Sequence, residues 1–238
     1  MHPTFLGHLT DPANPYAPFN WYNAFGAAGC ALWIVAYILF IRQGWKDRTY
    51  GVPMAAICLN ITWEAVTFTG PAPVPLWKWI EGAWLFIDVI ILWQLWIHGK
   101  STMLRPSLQR YHHLVIVGML ALATGFHLTW RTFWDDELLF VNAFIINLIM
   151  SVLFISLALA RPTLSGLTIP GAWCKFLGTI LTGVQCLVFL PKVMHERESW
   201  AFLWYLVVAI AICDALYLFV LYHLRRITAR VGTTPTTT

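Results

Sequence analysis

The sequence predicts an all-α integral membrane protein: a bundle of seven transmembrane helices, with the N-terminus outside or lumenal and the C-terminus cytoplasmic. Three observations carry that expectation. Of 238 residues, 59% are hydrophobic and only 11% are charged, whereas a soluble domain is about a quarter charged. Seven apolar runs each approach the ~20 residues needed to cross a bilayer. Lys and Arg, finally, fall mainly on alternate loops, as the positive-inside rule requires.

The runs lie at about 24–41, 51–69, 77–97, 113–131, 139–160, 173–190 and 200–222. Residues 1–23 form a Pro- and Asn-rich extramembrane segment without the basic start of a cleaved signal peptide. The first run is therefore expected to stay in the mature protein. The third run, from Trp77 to Ile97, and the seventh, from Trp200 to Tyr222, are the most continuous. Gly178, Gly183 and Gln185 dilute the sixth. On one side the loops and tail carry Arg42, Lys46, Arg48, Lys100, Arg105, Arg110, Arg161, Lys175, Arg225, Arg226 and Arg230, which is 11 basic residues. The other side has 4, namely Lys78, Arg131, Lys192 and Arg197. A single transmembrane domain, 24–222, then leaves 223–238 as a cytoplasmic tail ending in the low-complexity GTTPTTT.

Several function classes fall away. The net charge of +4 comes from scattered basic residues rather than a stripe, so a nucleic-acid partner is not expected. Cys30, Cys58, Cys174, Cys186 and Cys213 lie in or beside apolar runs with no CxxC pair, and read as packing residues. Run seven lacks the lysine of a retinal protein, and neither a DRY-like nor an NPxxY motif of a G-protein-coupled receptor is present. His98, His112, His113, His195 and His223 sit near run ends, with only His127 further in, so no haem or diiron box is expected. No inverted repeat is visible, which argues against many secondary transporters.

Within run two the stretch NITWEAVTF places Glu64 in hydrocarbon; Asp88 in run three and Asp214 in run seven do the same. A carboxyl at that depth is costly and points to function. No Lys or Arg is expected at the same depth, and Arg131 is the one candidate partner for Glu64. Helical spacing puts Asn60, Glu64 and Thr67 on one face, Glu81, Trp84 and Asp88 on another, and Asp214 with Tyr217 on a third. His127 and Arg131 extend a polar stripe on run four, and Asn142 and Asn147 lie in run five. Turned inward, these stripes would line a cavity. For an Asn or Thr the competing reading is interhelical hydrogen bonding. A carboxyl buried without a cation favours its neutral form and becomes a general acid, so Glu64 is expected to deliver a proton to an apolar substrate. Most of the 14 Trp sit near run ends, where interfacial belts explain them. Trp63, Trp84 and Trp204 lie deeper, where a ring face can stabilise a cation by up to ~2 kcal/mol; core packing is the alternative for each.

The size, the seven runs, the Trp63-Glu64 pair in run two and the lone Asp214 in the last run resemble the membrane-integral terpene cyclases of meroterpenoid and indole-diterpene biosynthesis. The resemblance implies that Glu64 and Asp214 are catalytic, in unequal parts: one donates the proton while the other, ionised, stabilises the spreading cation or helps take the final proton. Glu64 is the preferred donor, because Trp63 and Asn60 can orient it. It implies a class II-type, isomerase- or lyase-like enzyme that protonates a terminal epoxide, or an alkene, of a prenylated acceptor and drives cationic closure to a fused-ring meroterpenoid. Substrate and cation contacts are then expected from Asn60, Trp63, Trp84, Asp88, His127, Asn147, Trp204 and Tyr217. No metal or other cofactor is implied, consistent with the lack of DDxxD, NDxxD and DxDD motifs; Asp135-Asp136-Glu137 is a lone loop cluster. The partners implied are the prenylated small molecule and membrane lipid, with a prenyltransferase and an epoxidase upstream. The membrane would be the endoplasmic reticulum in a eukaryote and the plasma membrane in a bacterium. The competing expectation is a small proton-coupled transporter or binding protein using Glu64 and Asp214 as a relay.

Overall fold

The computed structural model describes residues 24–70, 75–102, 106–134, 136, 139–161, 163–189 and 200–231. They form seven α-helices: α1 (Ala24–Lys46), α2 (Met54–Thr69), α3 (Pro75–His98), α4 (His112–Phe133), α5 (Phe140–Ala160), α6 (Ile169–Val184) and α7 (Trp200–Val231). Two 3-10 segments, Gly99–Thr102 and Pro106–Tyr111, lie between α3 and α4, and a π-helical segment, Gln185–Phe189, prolongs α6. Each expected run therefore coincides with a helix. Residues 1–23, 190–199 (with Lys192 and Arg197) and 232–238 lie outside the described residues, as do Arg105, Asp135 and Glu137.

Local chemistry sets the helix ends. Pro53 precedes α2, and the N–H of Gly70 closes its far end on Thr67 O. The Lys78 ammonium donates there to Thr67 O at 2.9 Å, Phe68 O at 2.6 Å and Gly70 O at 2.5 Å, satisfying carbonyls that a helix terminus leaves orphaned. Pro170 occupies the first turn of α6, where its missing N–H costs nothing. Asp136 serves the start of α5. Its carboxylate accepts from the N–H groups of Phe140, Val141 and Asn142 at 2.8, 3.0 and 3.1 Å, and from Trp130 Nε1 at 3.0 Å. The loop cluster Asp135-Asp136-Glu137 thus contains a buried helix cap.

Among the described residues, five segments are long and apolar enough to cross a membrane: Ala24–Lys46, Lys78–His98, Pro106–Phe133, Phe140–Ala160 and Ala201–Thr228. Helix α2 has 16 residues, about 24 Å at 1.5 Å per residue, short of a ~30 Å hydrocarbon core, whereas the 16 residues of α6 continue into the π-helical segment Gln185–Phe189. Both are held by neighbours: α2 packs on α3, α4 and α5, and α6 on α1 and α7, while α5 packs along α7. The α1–α6 approach is backbone-close. A Cβ added at Gly29 would lie 2.8 Å from Gly178 O and 2.5 Å from Thr182 Oγ1, so only glycine fits. At one end of the bundle, Arg161 donates to Tyr50 O at 2.8 Å and Gly166 N–H donates to Asp47 Oδ2 at 2.7 Å. These bonds tie the α1–α2 turn to the α5–α6 loop.

One expectation is overturned here. Helix α6 begins at Ile169 rather than near 173, because extended Thr168 and then Pro170 start it early. Lys175 is consequently not a loop residue; it lies in the second turn of α6 and is 0% exposed. The loop asymmetry loses one basic residue by this correction, from 11 to 10 against 4.

Candidate active site

Glu64 on α2 is 5% exposed and Asp88 on α3 is fully buried. One turn before Glu64, Asn60 Nδ2 donates to Asp88 Oδ2 at 2.7 Å and to the Tyr37 hydroxyl at 3.1 Å, joining α1, α2 and α3. Glu64 lies within electrostatic reach of Asp88 and Glu81, and of Tyr37 and Cys30 on α1. The Lys78 ammonium is 3.6 Å from Glu81. Among the described residues no cation and no hydrogen-bond donor pairs with Glu64. Asp88 Oδ1 is buried without a hydrogen-bond partner among the described residues. The expected Arg131 partner is elsewhere, its guanidinium lying against Gly70 at the end of α2.

An aromatic wall flanks this acid cluster. The half-buried Trp84 meets Tyr37 edge-on at 5.5 Å, and Tyr37 meets Trp33 edge-on at 5.6 Å. Trp33 and Tyr37 were not anticipated, because run one carries no intramembrane charge to draw attention to its inward face. Their i, i+4 spacing is the signal that would have found them.

Across Trp33 lies a second polar group. The buried Lys175 ammonium donates to Ser151 Oγ on α5 at 2.7 Å and forms an ion pair with Asp214 Oδ1 on α7. It sits 5.2 Å from the Trp33 ring centre and 5.6 Å from that of Phe154. The expectation that no cation reaches the depth of the carboxyls is therefore wrong for Asp214, because Lys175 belongs to the bundle interior. Asp214 Oδ2 and the Tyr217 hydroxyl, one turn further along α7, are both buried without a hydrogen-bond partner among the described residues.

The remaining expected residues divide. His127 bridges helices: its Nε2 is 3.0 Å from Leu59 O on α2, and its Nδ1 is 2.8 Å from the Asn142 amide on α5. As placed, both ring nitrogens face oxygens while Asn142 Nδ2 is buried without a partner. Turning the amide over lets Nδ2 donate to Nδ1, and Nε2–H then donates to Leu59 O. Trp63 Nε1 donates to Leu139 O at 3.0 Å, anchoring α2 to the start of α5. Asn147 on α5 has a buried, unpartnered Oδ1. Trp204 does not join the site, since it is 51% exposed. The inward face of α7 runs through Leu203, Leu206, Ile210, Asp214 and Tyr217, and Trp204 lies off that stripe. Among the described residues no three His, Cys, Asp or Glu side chains are grouped so that they could hold a metal ion.

A sequence model of the Pyr4-like transmembrane terpene cyclases matches residues 7–227. Similar proteins include terpene cyclase cle7 of Aspergillus versicolor, 25% identical over 206 residues that cover 83% of this chain and 85% of the relative. Terpene cyclase ascF of Acremonium egyptiacum is 24% identical over 226 residues, 86% of this chain and 82% of the relative. Terpene cyclase macJ of Penicillium terrestre is 26% identical over 205 residues, 82% and 78% respectively. No solved structure matches the chain.

Proposed function

The chain belongs to the Pyr4-like transmembrane terpene cyclases, and from that premise we propose a protonation-initiated cyclase acting on a prenylated acceptor, with Glu64 as the acid. The observation that carries the reading is the setting of Glu64: buried, without a cation or donor among the described residues, and within reach of Asp88 and Glu81. Carboxyls sharing such a space do not all ionise, so a proton is retained among them. Glu64 passes that proton to the oxygen of a terminal epoxide, whose C–O bond breaks as the nearest alkene attacks. Epoxide opening demands less acid strength than alkene protonation, so a single carboxylic acid suits it better. Successive alkenes close rings, and loss of a proton or capture by the head group ends the cation. Trp33, Tyr37 and Trp84 offer ring faces and edges beside that path.

All seven helices cross the membrane in this reading, with the N-terminus lumenal and the C-terminus cytoplasmic. The relatives named above are fungal proteins, which supports the endoplasmic reticulum as the compartment. A prenyltransferase and an epoxidase supply the substrate, and the reaction needs no metal. The test uses membranes containing the protein, given a panel of prenylated aromatics and indoles with and without terminal epoxides, read by chromatography and mass spectrometry. A product of unchanged mass and new retention time is expected, insensitive to chelator, and reduced about 10²-fold or more in Glu64→Gln. Normal product from Glu64→Gln removes Glu64 as the acid. Proton flux in proteoliposomes without any cyclised product replaces the cyclase reading with the relay.

A further inference from the structure

We propose that Lys175 is a positioning residue for cyclisation: it holds Asp214 as a carboxylate and leaves Asp214 Oδ2 free to face the reacting cation. The inference depends on the cyclase reading for the reaction, though not for the ionic state of the pair. Helices α5, α6 and α7 all converge on the ammonium, through Ser151, Lys175 itself and Asp214. A buried ion pair is a poor way to stabilise a fold, since well-packed apolar residues of similar volume often do as well or better. Its presence in an apolar bundle therefore calls for another role.

The geometry supplies one. Among the described residues Lys175 pairs with Oδ1, and Oδ2 is buried with no hydrogen-bond partner. The Trp33 and Phe154 rings line the other approaches to the ammonium, and Trp33 continues through Tyr37 to the Glu64 cluster. Glu64 and Asp214 thus occupy opposite settings: Glu64 lies among other acids with no cation paired to it among the described residues, and Asp214 sits on a cation. Groups placed in such contrasting environments divide acid and base roles. Asp214 would then be the counter-ion and terminal base. In the closing step the electron pair of a C–H bond adjacent to the cationic carbon becomes the new C=C bond. The proton passes to Asp214 Oδ2, so an isomer of the substrate is released and the enzyme regains its starting state by proton exchange with water.

Infrared difference spectra of the full-length protein in lipid test the pair without any substrate. Subtracting Asp214→Asn from wild type should reveal a carboxylate stretch, and the same subtraction for Glu64→Gln a protonated carboxyl stretch that shifts in D2O. Lys175→Met should convert the Asp214 signal to the protonated form, while Lys175→Arg retains the carboxylate. With whichever panel substrate turns over, Lys175→Met should lose about 10²-fold in kcat with KM nearly unchanged, and Lys175→Arg should recover part of that loss. A protonated Asp214 signal in wild type overturns the proposal, as does a carboxylate that persists in Lys175→Met while activity falls, which marks a purely structural lysine. Should Lys175→Met not accumulate, the wild-type minus Asp214→Asn spectrum decides alone. Absence of turnover across the panel counts against the cyclase reading and leaves the spectral result standing.

Discussion

Removing the Asp136 carboxylate should loosen the α4–α5 junction that supports the acid cluster. Asp136 is 4% exposed and accepts four hydrogen bonds, three from the first backbone N–H groups of α5 and one from the Trp130 indole. Loss of an ordinary N-cap side chain costs about 0.5–2 kcal/mol, and a bond to a charged acceptor contributes about 1.5–3 kcal/mol. The four bonds share one carboxylate and are not additive, so Asp136→Ala should cost about 3 kcal/mol, roughly 10²-fold in the unfolding equilibrium. Asp136→Asn keeps one oxygen acceptor and should fall between Ala and wild type. The assay is SDS-driven unfolding in mixed micelles, followed by the fluorescence of the 14 tryptophans. At a temperature where the variants remain folded, turnover per folded molecule should change little, because Asp136 acts through Asn142, His127 and Leu139 rather than on substrate. An Ala variant within about 0.5 kcal/mol of wild type would mean that water replaces the carboxylate at this helix end, refuting the argument.

Three further outcomes follow from packing and ring contacts. Gly29→Ala should destabilise the bundle by about 1–3 kcal/mol, because its Cβ would meet backbone at Gly178 O; Gly118→Ala, with nothing within 4 Å, should be neutral or stabilising in the same titration. Trp204→Leu should leave the product profile unchanged, since the side chain is 51% exposed on the outer face of α7. Trp33→Leu, which removes a ring shared by both polar clusters, should lower turnover about tenfold if a ring face contributes up to ~2 kcal/mol to a buried cation.

The bundle was legible because hydrocarbon imposes a simple rule on sequence: long apolar runs separated by short polar loops. Glu64, Asp88 and Asp214 were legible for the converse reason, as isolated acids inside such runs. Lys175 was not. It stands in GAWCKFLG, where glycine and the nearby Pro170 blur the start of the helix, and a basic residue at a blurred boundary reads as loop. Its helical face was nonetheless written in the spacing of Gly171, Ala172, Lys175, Gly178, Thr179 and Gly183, all buried in α6. The ion pair itself needed the fold, because nothing in the chain says that residues 175 and 214 meet. Trp204 erred the other way: depth along α7 suggested the site, but depth says nothing about which side of a helix faces inward. Asp136 was read only as a member of a lone loop cluster, although an acid just before an apolar run also fits the start of a helix.

Helix α2, too short to span a bilayer comfortably, brings Glu64, and α6, whose α-helical part is as short before its π-helical extension, brings Lys175. These observations have a common cause. A helix bounded by protein on several sides need not satisfy the hydropathy and length that lipid demands, whereas on the longer α3 and α7 it is the inward face alone that keeps Asp88 and Asp214 buried. Helix α2 is enclosed by α3, α4 and α5, and α6 by α1 and α7, with the longer apolar helices completing the outer surface. The glycine contacts of α1 with α6 follow from the same arrangement, because drawing Lys175 against the Trp33 ring requires the two backbones to approach closely. The segment that reads most weakly as membrane is therefore where this architecture can afford its buried cation, and the dilution of run six by small and polar residues is itself a mark of the site.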